Sequence, residues 1–350
     1  MSENGTPCIL YGELYTKYKS EIISKVISKT DIEESKLKHS KQNDVIIPCS
    51  GETAIDIAVA RCVPFDNVLL GGDLNVIRLH KYDGAFMAYQ LNGKRKTDIA
   101  KLAQGVSVVH LYGENLKSIK TYNPSLQEQQ KIVKLLSMLD ERLEVQNKII
   151  EDLKKLKSAI IDKLYSSTNG EIYSFRQLFE VINEKNKACA YKNVLSASQE
   201  LGMIERSDIN IDIKFEQESI SGYKIVRKGD YVVHLRSFQG GFAFSDRTGI
   251  CSPAYIILRP NDLVVYSYLS HYFTSKPFIK SLKLVTYGIR DGRSINVDEW
   301  LDMPILLPPA QEQIRILTIV NAIDAKLHNE VKVQFCLSSQ KSYLLNTMFI

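Results

Sequence analysis

Three clusters of side chains in this chain have the chemistry to grip a polyanion. Arg236, Ser237 and Gln239 run into Gly240-Gly241 a few residues after the β-branched stretch Tyr231-Val232-Val233. Arg290 and Arg293 flank Asp291-Gly292, with Lys280 and Lys283 upstream, and Lys94, Arg95 and Lys96 follow Asn92-Gly93. A guanidinium presents a rigid fork of N–H donors that fits a phosphate or the acceptor edge of guanine, while Ser and Gln can both donate and accept. Glycines beside them let the backbone come close to a bulky partner. A second role is open to the same cations. They can cap turns or pair with Asp230, Asp246 and Asp291, and a basic run in a loop can simply be solvated.

Catalytic constellations are not met. Gln239-Gly240-Gly241-Phe242 lacks the G-x-G-x-x-G spacing and the following amphipathic helix of a nucleotide loop. Asn123-Pro124-Ser125-Leu126 has Ser and Leu where an Asn-Pro-Pro-aromatic methyltransferase motif needs Pro and an aromatic ring. Asp31, Glu34 and Lys36 lie too close together to sit on separate strands of a nuclease site, and the local pattern reads as a solvated helix. The six histidines are scattered, and the six cysteines form no C-x-x-C or metal-ligand spacing. These features predict a non-catalytic chain with no cofactor or metal of its own. They also predict reduced thiols in a cytoplasmic protein. No apolar run is long enough to span a bilayer. A net charge of +5 permits a polyanion partner without requiring one.

The elements that must position these clusters are set by a repeat. Pro124-Ser125-Leu126-Gln127-Glu128-Gln129-Gln130 returns as Pro308-Pro309-Ala310-Gln311-Glu312-Gln313-Ile314, and the register then holds without a gap to the C-terminus. Each proline ends extended chain and suits a first helical turn. Beyond it, Ile132, Leu136, Leu139, Leu143, Ile150 and Leu153 fall at helical spacing, matched by Ile316, Val320, Ile323, Leu327 and Leu337. Both stripes break at one place, Gln146 and Glu330. Helices of this length need a partner along their sides, and the simplest is the other copy packed antiparallel. Leu135, Ile149, Leu156, Ile160, Ile161 and Leu164 widen the first stripe beyond a two-stranded seam. They predict a further helix from another chain, or a helix pair that buries the surplus on its own globes.

The repeat divides the chain into residues 1–122, helix 123–168, residues 169–306 and helix 307–350. Both globes read as mixed α/β, with Val45-Ile46-Ile47 and Tyr231-Val232-Val233 as strands. Cys8–Tyr11 matches Asn193–Ser196. Tyr173–Ala190, which precedes the second of these with a helical pattern at Phe175, Leu178, Phe179 and Ile182, has no counterpart in the first globe. Another element covers that core, or the first globe is truncated at its N-terminus. Leu263–Phe273 reads as a buried helix.

The twin Pro-x-x-Gln-Glu-Gln helices, Arg236–Phe242, Gly249–Tyr255 and Ser107–Tyr112 together resemble the specificity subunit of type I restriction–modification systems. The resemblance covers nearly the whole chain. It implies an α+β chain of two target-recognition domains on two long antiparallel helices, related by a pseudo-twofold repeat. Each domain would read one half of a bipartite double-stranded DNA site through Arg236, Ser237, Gln239, Lys283, Arg290, Arg293 and Lys94–Lys96. The helices, through Gln127, Glu128, Gln129, Gln311, Glu312 and Gln313 with Leu135, Ile149 and Leu156, would dock methyltransferase subunits. Restriction/translocase subunits would join through the complex, and the S-adenosylmethionine and ATP chemistry would belong to these partners. The alternative is a truncated or silent subunit, a scaffold or recombination cassette with one or no reading domain.

Overall fold

The computed structural model describes residues 4–33, 35, 37–198, 201–208, 217–234, 241–287 and 294–349. The chain forms two compact units, Met1–Ile150 with Glu330–Ile350, and Glu151–Asn329.

The first unit is built on β1 (Thr6–Ile9), β2 (Ser28–Thr30), β3 (Lys38–His39), β4 (Asp44–Pro48), β5 (Ser50–Gly51), β6 (Arg61–Val63), β7 (Leu69–Leu70), β8 (Leu74–Ile77) and β9 (Val109–His110). Short helices α1 (Glu13–Thr16), α2 (Ala54–Ile57), α3 (Gly84–Asn92), α4 (Lys96–Ala100) and α5 (Gly113–Leu116) interrupt them. One sheet has the order β2-β1-β7-β3 and a second the order β6-β4-β8. The residues of β4 are buried throughout, as a central strand covered on both faces requires. Asp44, at its start, would be costly there without partners. Arg78 supplies them, donating Nε to Oδ1 at 2.9 Å and Nη2 to Oδ2 at 2.8 Å, and the Lys41 amide donates to the same carboxylate.

The second unit repeats this plan. Its strands are β10 (Glu171–Ser174), β11 (Phe179–Ile182), β12 (Leu195–Ser198), β13 (Gly202–Glu205), β14 (Lys224–Val226), β15 (Tyr231–Val233), β16 (Phe242–Phe244), β17 (Gly249–Cys251), β18 (Ile256–Pro260), β19 (Thr286–Tyr287), β20 (Ser294–Ile295) and β21 (Pro304–Leu307). The main sheet has the order β11-β18-β15-β16, so β15 takes the place of β4, β16 of β6 and β18 of β8. Asp230 repeats the role of Asp44. Arg259 donates Nε and Nη2 to its two oxygens, both at 2.9 Å, and the Arg227 amide donates to Oδ2. Helix α7 (Phe175–Leu178) places Phe175 against Trp300 of α10 (Val297–Leu301), ring centroids 4.3 Å apart.

Two helical readings are corrected here. The pattern at Phe175, Leu178, Phe179 and Ile182 is a single helical turn followed by β11, because β18 offers an edge with which Phe179–Ile182 pairs antiparallel. The expected helix over Leu263–Phe273 shrinks to α8 (Tyr268–Tyr272), since Ser267 in front of it holds a left-handed backbone, φ 65°. Helix α9 (Lys276–Ser281) then begins at Ser275, whose side chain caps Phe278.

The repeated segments form α6 (Leu126–Ser166) and α11 (Ala310–Thr347), each starting two residues after its first proline. Within the first unit they run antiparallel, with Asp140 meeting Lys341 at 2.5 Å and Gln146 donating to the Glu330 carbonyl at 2.9 Å. Within the second unit Lys157 meets Asp324 at 2.5 Å. The two ion pairs are one pair seen twice, since Asp140 corresponds to Asp324 and Lys157 to Lys341. Gln146 and Glu330, the polar breaks in both stripes, satisfy each other. This registers the helices as a buried polar residue does in a coiled coil. At the far end of α11, Leu345 and Phe349 pack into the first unit, Phe349 5.3 Å from Phe86. Tyr165 of α6 fills the matching place in the second, 5.2 Å from Tyr268.

Candidate nucleic-acid interface

In the second unit the candidate site begins where β15 ends. Val233 pairs with Phe242, and the His234 amide donates to the Gly241 carbonyl at 2.8 Å, so residues 235–240 connect the two arms of one hairpin. Arg236, Ser237 and Gln239 lie in that connection, outside the described residues. Two of the three aspartates open to the nearby arginines hold other partners: Asp230 binds Arg259, and Asp246 binds Arg247 at 2.8 Å. His234 opens the connection, half-buried and 6.1 Å from the Tyr255 ring. Burial lowers its pKa below the ordinary histidine value, which keeps the ring neutral, with one nitrogen donating and the other accepting. Reading the histidines as scattered passed it over. The signal was its position, directly between a β-branched run and a basic turn.

A second hairpin pairs β19 with β20, Tyr287 opposite Ser294. Its connection, residues 288–293, holds Arg290 and Arg293, also outside the described residues. Lys283 sits just before it, exposed on a 3₁₀ turn. The stems of the two hairpins share a core. Phe242 of the first lies 4.8 Å from Trp300, in the helix that follows the second.

The matching end of the first unit is built differently. After β4 the chain forms β5, which pairs with β9, and then α2, capped by Thr53. Glu52 and Asp56 are the charged residues here, and Asp56 accepts from the Thr53 hydroxyl at 2.5 Å. His110 and Tyr112 are exposed, with stacked rings 6.4 Å apart. The basic turn Lys94–Lys96 belongs to a separate place. Gly93 lies so near the α11 terminus that a Cβ would stand 2.2 Å from the Leu345 carbonyl oxygen. Arg95 faces Asp98 at 3.8 Å, and its Nε is buried. Of the three cations, Lys94 is the exposed one.

On the helices, Gln127, Glu128 and Gln311 are exposed, and Glu312 is held by Arg315 at 2.6 Å. Of the six residues that widen the first helix's apolar stripe, Ile161 is buried in the second unit's core and Leu164 packs against it, because that unit covers them itself. Leu135, Ile149 and Leu156 are exposed, in a stripe that sequence reasoning left incomplete. Met138 and Val145 continue it at spacings of three and four. Gln129 and Gln313 depart from the expected docking role because both are buried. Gln129 accepts from the Asp83 amide and donates to the Pro124 carbonyl, while Gln313 accepts from the Val265 amide and donates to the Leu263 and Pro308 carbonyls. They tie each helix start to its own unit.

Residues 4–155 and 170–334 both match the type I restriction modification DNA specificity domain. The chain belongs to that family. Solved structures carry the same fold. The type I restriction–modification S subunit from M. genitalium is 19% identical at a TM-score of 0.55, covering 99% of this chain and 92% of its own. A chain from a structure of complex assembly and conformational transition in the type I R-M system is 17% identical at a TM-score of 0.55, covering 88% and 82%. The family gives coarse support to a recognition role without catalysis. Among the described residues no group of acidic, histidine or cysteine side chains could hold a metal. No helix there is long and apolar enough to cross a membrane.

Proposed function

We propose that this chain supplies the DNA address of a type I restriction–modification complex. The second unit reads one half of a split site through residues 235–240 and 288–293. Arg236 and Arg293 contact base edges or phosphates, and Gln239 and Ser237 add neutral donors and acceptors. The first unit reads the other half from its β5–β9 end, and the repeated helices set the number of unread base pairs between the halves. The exposed stripe Leu135, Met138, Val145, Ile149 and Leu156 docks methyltransferase subunits, which bring the S-adenosylmethionine chemistry. Restriction/translocase subunits join through them.

One observation carries this reading: the family's domain occurs twice in one chain, each copy joined to its own copy of the same helix. The test is a single-molecule methylome of cells expressing the chain with its neighbouring methyltransferase gene. A split motif with two different halves supports it, and no new methylation sinks it. A second reading is favoured by Glu52 and Asp56, which put negative charge where the first unit would face DNA. In that reading only the second unit reads sequence, and the methylome returns a one-sided or palindromic motif.

A further inference from the structure

The first unit contains a groove that its repeat has filled. In the second unit, β11 pairs along β18 with Glu180 opposite Arg259, and the chain then crosses to β14. There the Ile225 amide donates to the Glu184 carbonyl at 2.8 Å, Lys185 bridges Lys224, and the Asn186 amide donates to the Tyr223 carbonyl. The Glu184 carboxylate accepts from Arg227 at 3.0 Å. Residues 179–186 therefore form an extended strap between β18 and β14, with two carboxylates facing cations.

The matching strands of the first unit are β8 and β3, and between them lies a cavity of about 410 Å³ lined by Leu37, Lys38, His39, Val76 and Arg78. Among the described residues no strand pairs with the outer side of β8. The cations correspond one to one. Arg78 stands for Arg259 through the shared aspartate clamp, and Lys41 for Arg227, each amide donating to its clamp aspartate at 2.8 Å. Lys38 stands for Lys224. Lys38, His39 and Lys41 are exposed, while Leu37 and Val76 give the groove an apolar floor.

We propose that this groove binds an extended acidic peptide segment, added as a strand beside β8. The segment carries two carboxylates four residues apart, as Glu180 and Glu184 are, the first against Arg78 and the second against Lys41. Backbone pairing supplies the affinity and the carboxylates fix the register. The inference does not depend on DNA recognition.

The probe is a fluorescent synthetic peptide of residues 177–187, titrated into the full chain and followed by anisotropy and by hydrogen–deuterium exchange. We expect saturable binding, with slowed exchange over residues 74–78 and 38–41. Glu180→Lys and Glu184→Lys together should weaken binding roughly tenfold. A Lys41→Glu chain should recover part of the loss for a peptide that carries Glu184→Lys alone, a rescue that a misfolded variant could not produce. Equal binding of a scrambled peptide, protection confined to residues 256–260, or displacement by a short DNA duplex would each overturn the proposal.

Discussion

The two units hold their helices alike and cover their cores differently. Each has an aspartate at the head of its central strand clamped by an arginine fork, a buried glutamine locking the helix start, and a Lys–Asp pair between the helices. The flanking side departs. In the second unit β10 pairs with β21 and buries Ile305 and Leu307, and Phe175 stacks on Trp300. In the helix register, Thr121, Asn123 and Leu116 stand at those positions in the first unit. There the Gln90 amide takes over the backbone pairing, donating to the Tyr122 carbonyl at 2.7 Å and accepting from its N–H at 2.8 Å. The polar anchors thus define the scaffold, and the apolar cover is replaceable. Geometry is held by groups that cannot be left unpaired, whereas a core accepts many apolar solutions.

The largest test of this contrast is Trp300→Ala, which should cost about 4 kcal/mol by emptying a buried ring site, measured by denaturant unfolding. Leu116→Ala, at a half-buried site, should cost only about 1 kcal/mol. Equal losses would mean that the first unit relies on its cover as heavily as the second. The clamps should behave the other way. Asp44→Ala and Asp230→Ala each remove the acceptor of an arginine fork and of a loop amide and should cost about 2 kcal/mol, nearly the same in both units, since the arginines left behind can be solvated. A clear inequality would show that one clamp is incidental. Smaller again is the effect on recognition. Arg293→Ala should relax one position of the methylated motif by about 1–3 kcal/mol, read as spread in the methylome. Lys94→Ala should weaken DNA binding evenly across sequences, by less than about tenfold.

The helices were legible because their signal is local. Proline start, apolar spacing and the matched breaks at Gln146 and Glu330 all lie within the segments that fold. The polar breaks meet because they lie where the two antiparallel copies cross their own symmetry; away from that point equivalent residues separate, and Asp140 meets Lys341 instead. Gln129 and Gln313 were misread for the opposite reason. Their partners are backbone groups at Asp83 and Val265, over forty residues upstream, and no spacing rule reports a contact that the fold creates. The same holds for Asp44 with Arg78, and for Asp230, whose partner is Arg259 rather than an arginine of the neighbouring turns. Phe175 and Phe179 misled through a spacing of four that fits a helix, although the second begins a strand whose pairing partner lies at residues 257–260.

The finest difference between the units lies under the paired helices. Tyr89 in the first unit donates to Asp140 at 2.7 Å, and burial with that carboxylate raises its pKa, so it stays neutral. At the matching place the second unit has His271, beside Asp324, Lys157 and Asn321. Burial is the main cause that lowers its pKa and the Lys157 charge adds to it, while Asp324 and the Asn321 hydrogen bond oppose them. A lowered folded value means that the unfolded chain takes up the proton first. Stability from this group is therefore complete above the unfolded value, near 6.5, and is lost as the pH falls through the lowered one. Melting curves from about pH 7.5 to 5.5 should show the chain losing a few degrees or less through this group. His271→Asn should flatten that part of the curve, and Tyr89→Phe should leave its slope unchanged. A slope that survives His271→Asn would move the acid sensitivity elsewhere, first to His234, the other histidine whose pKa burial lowers.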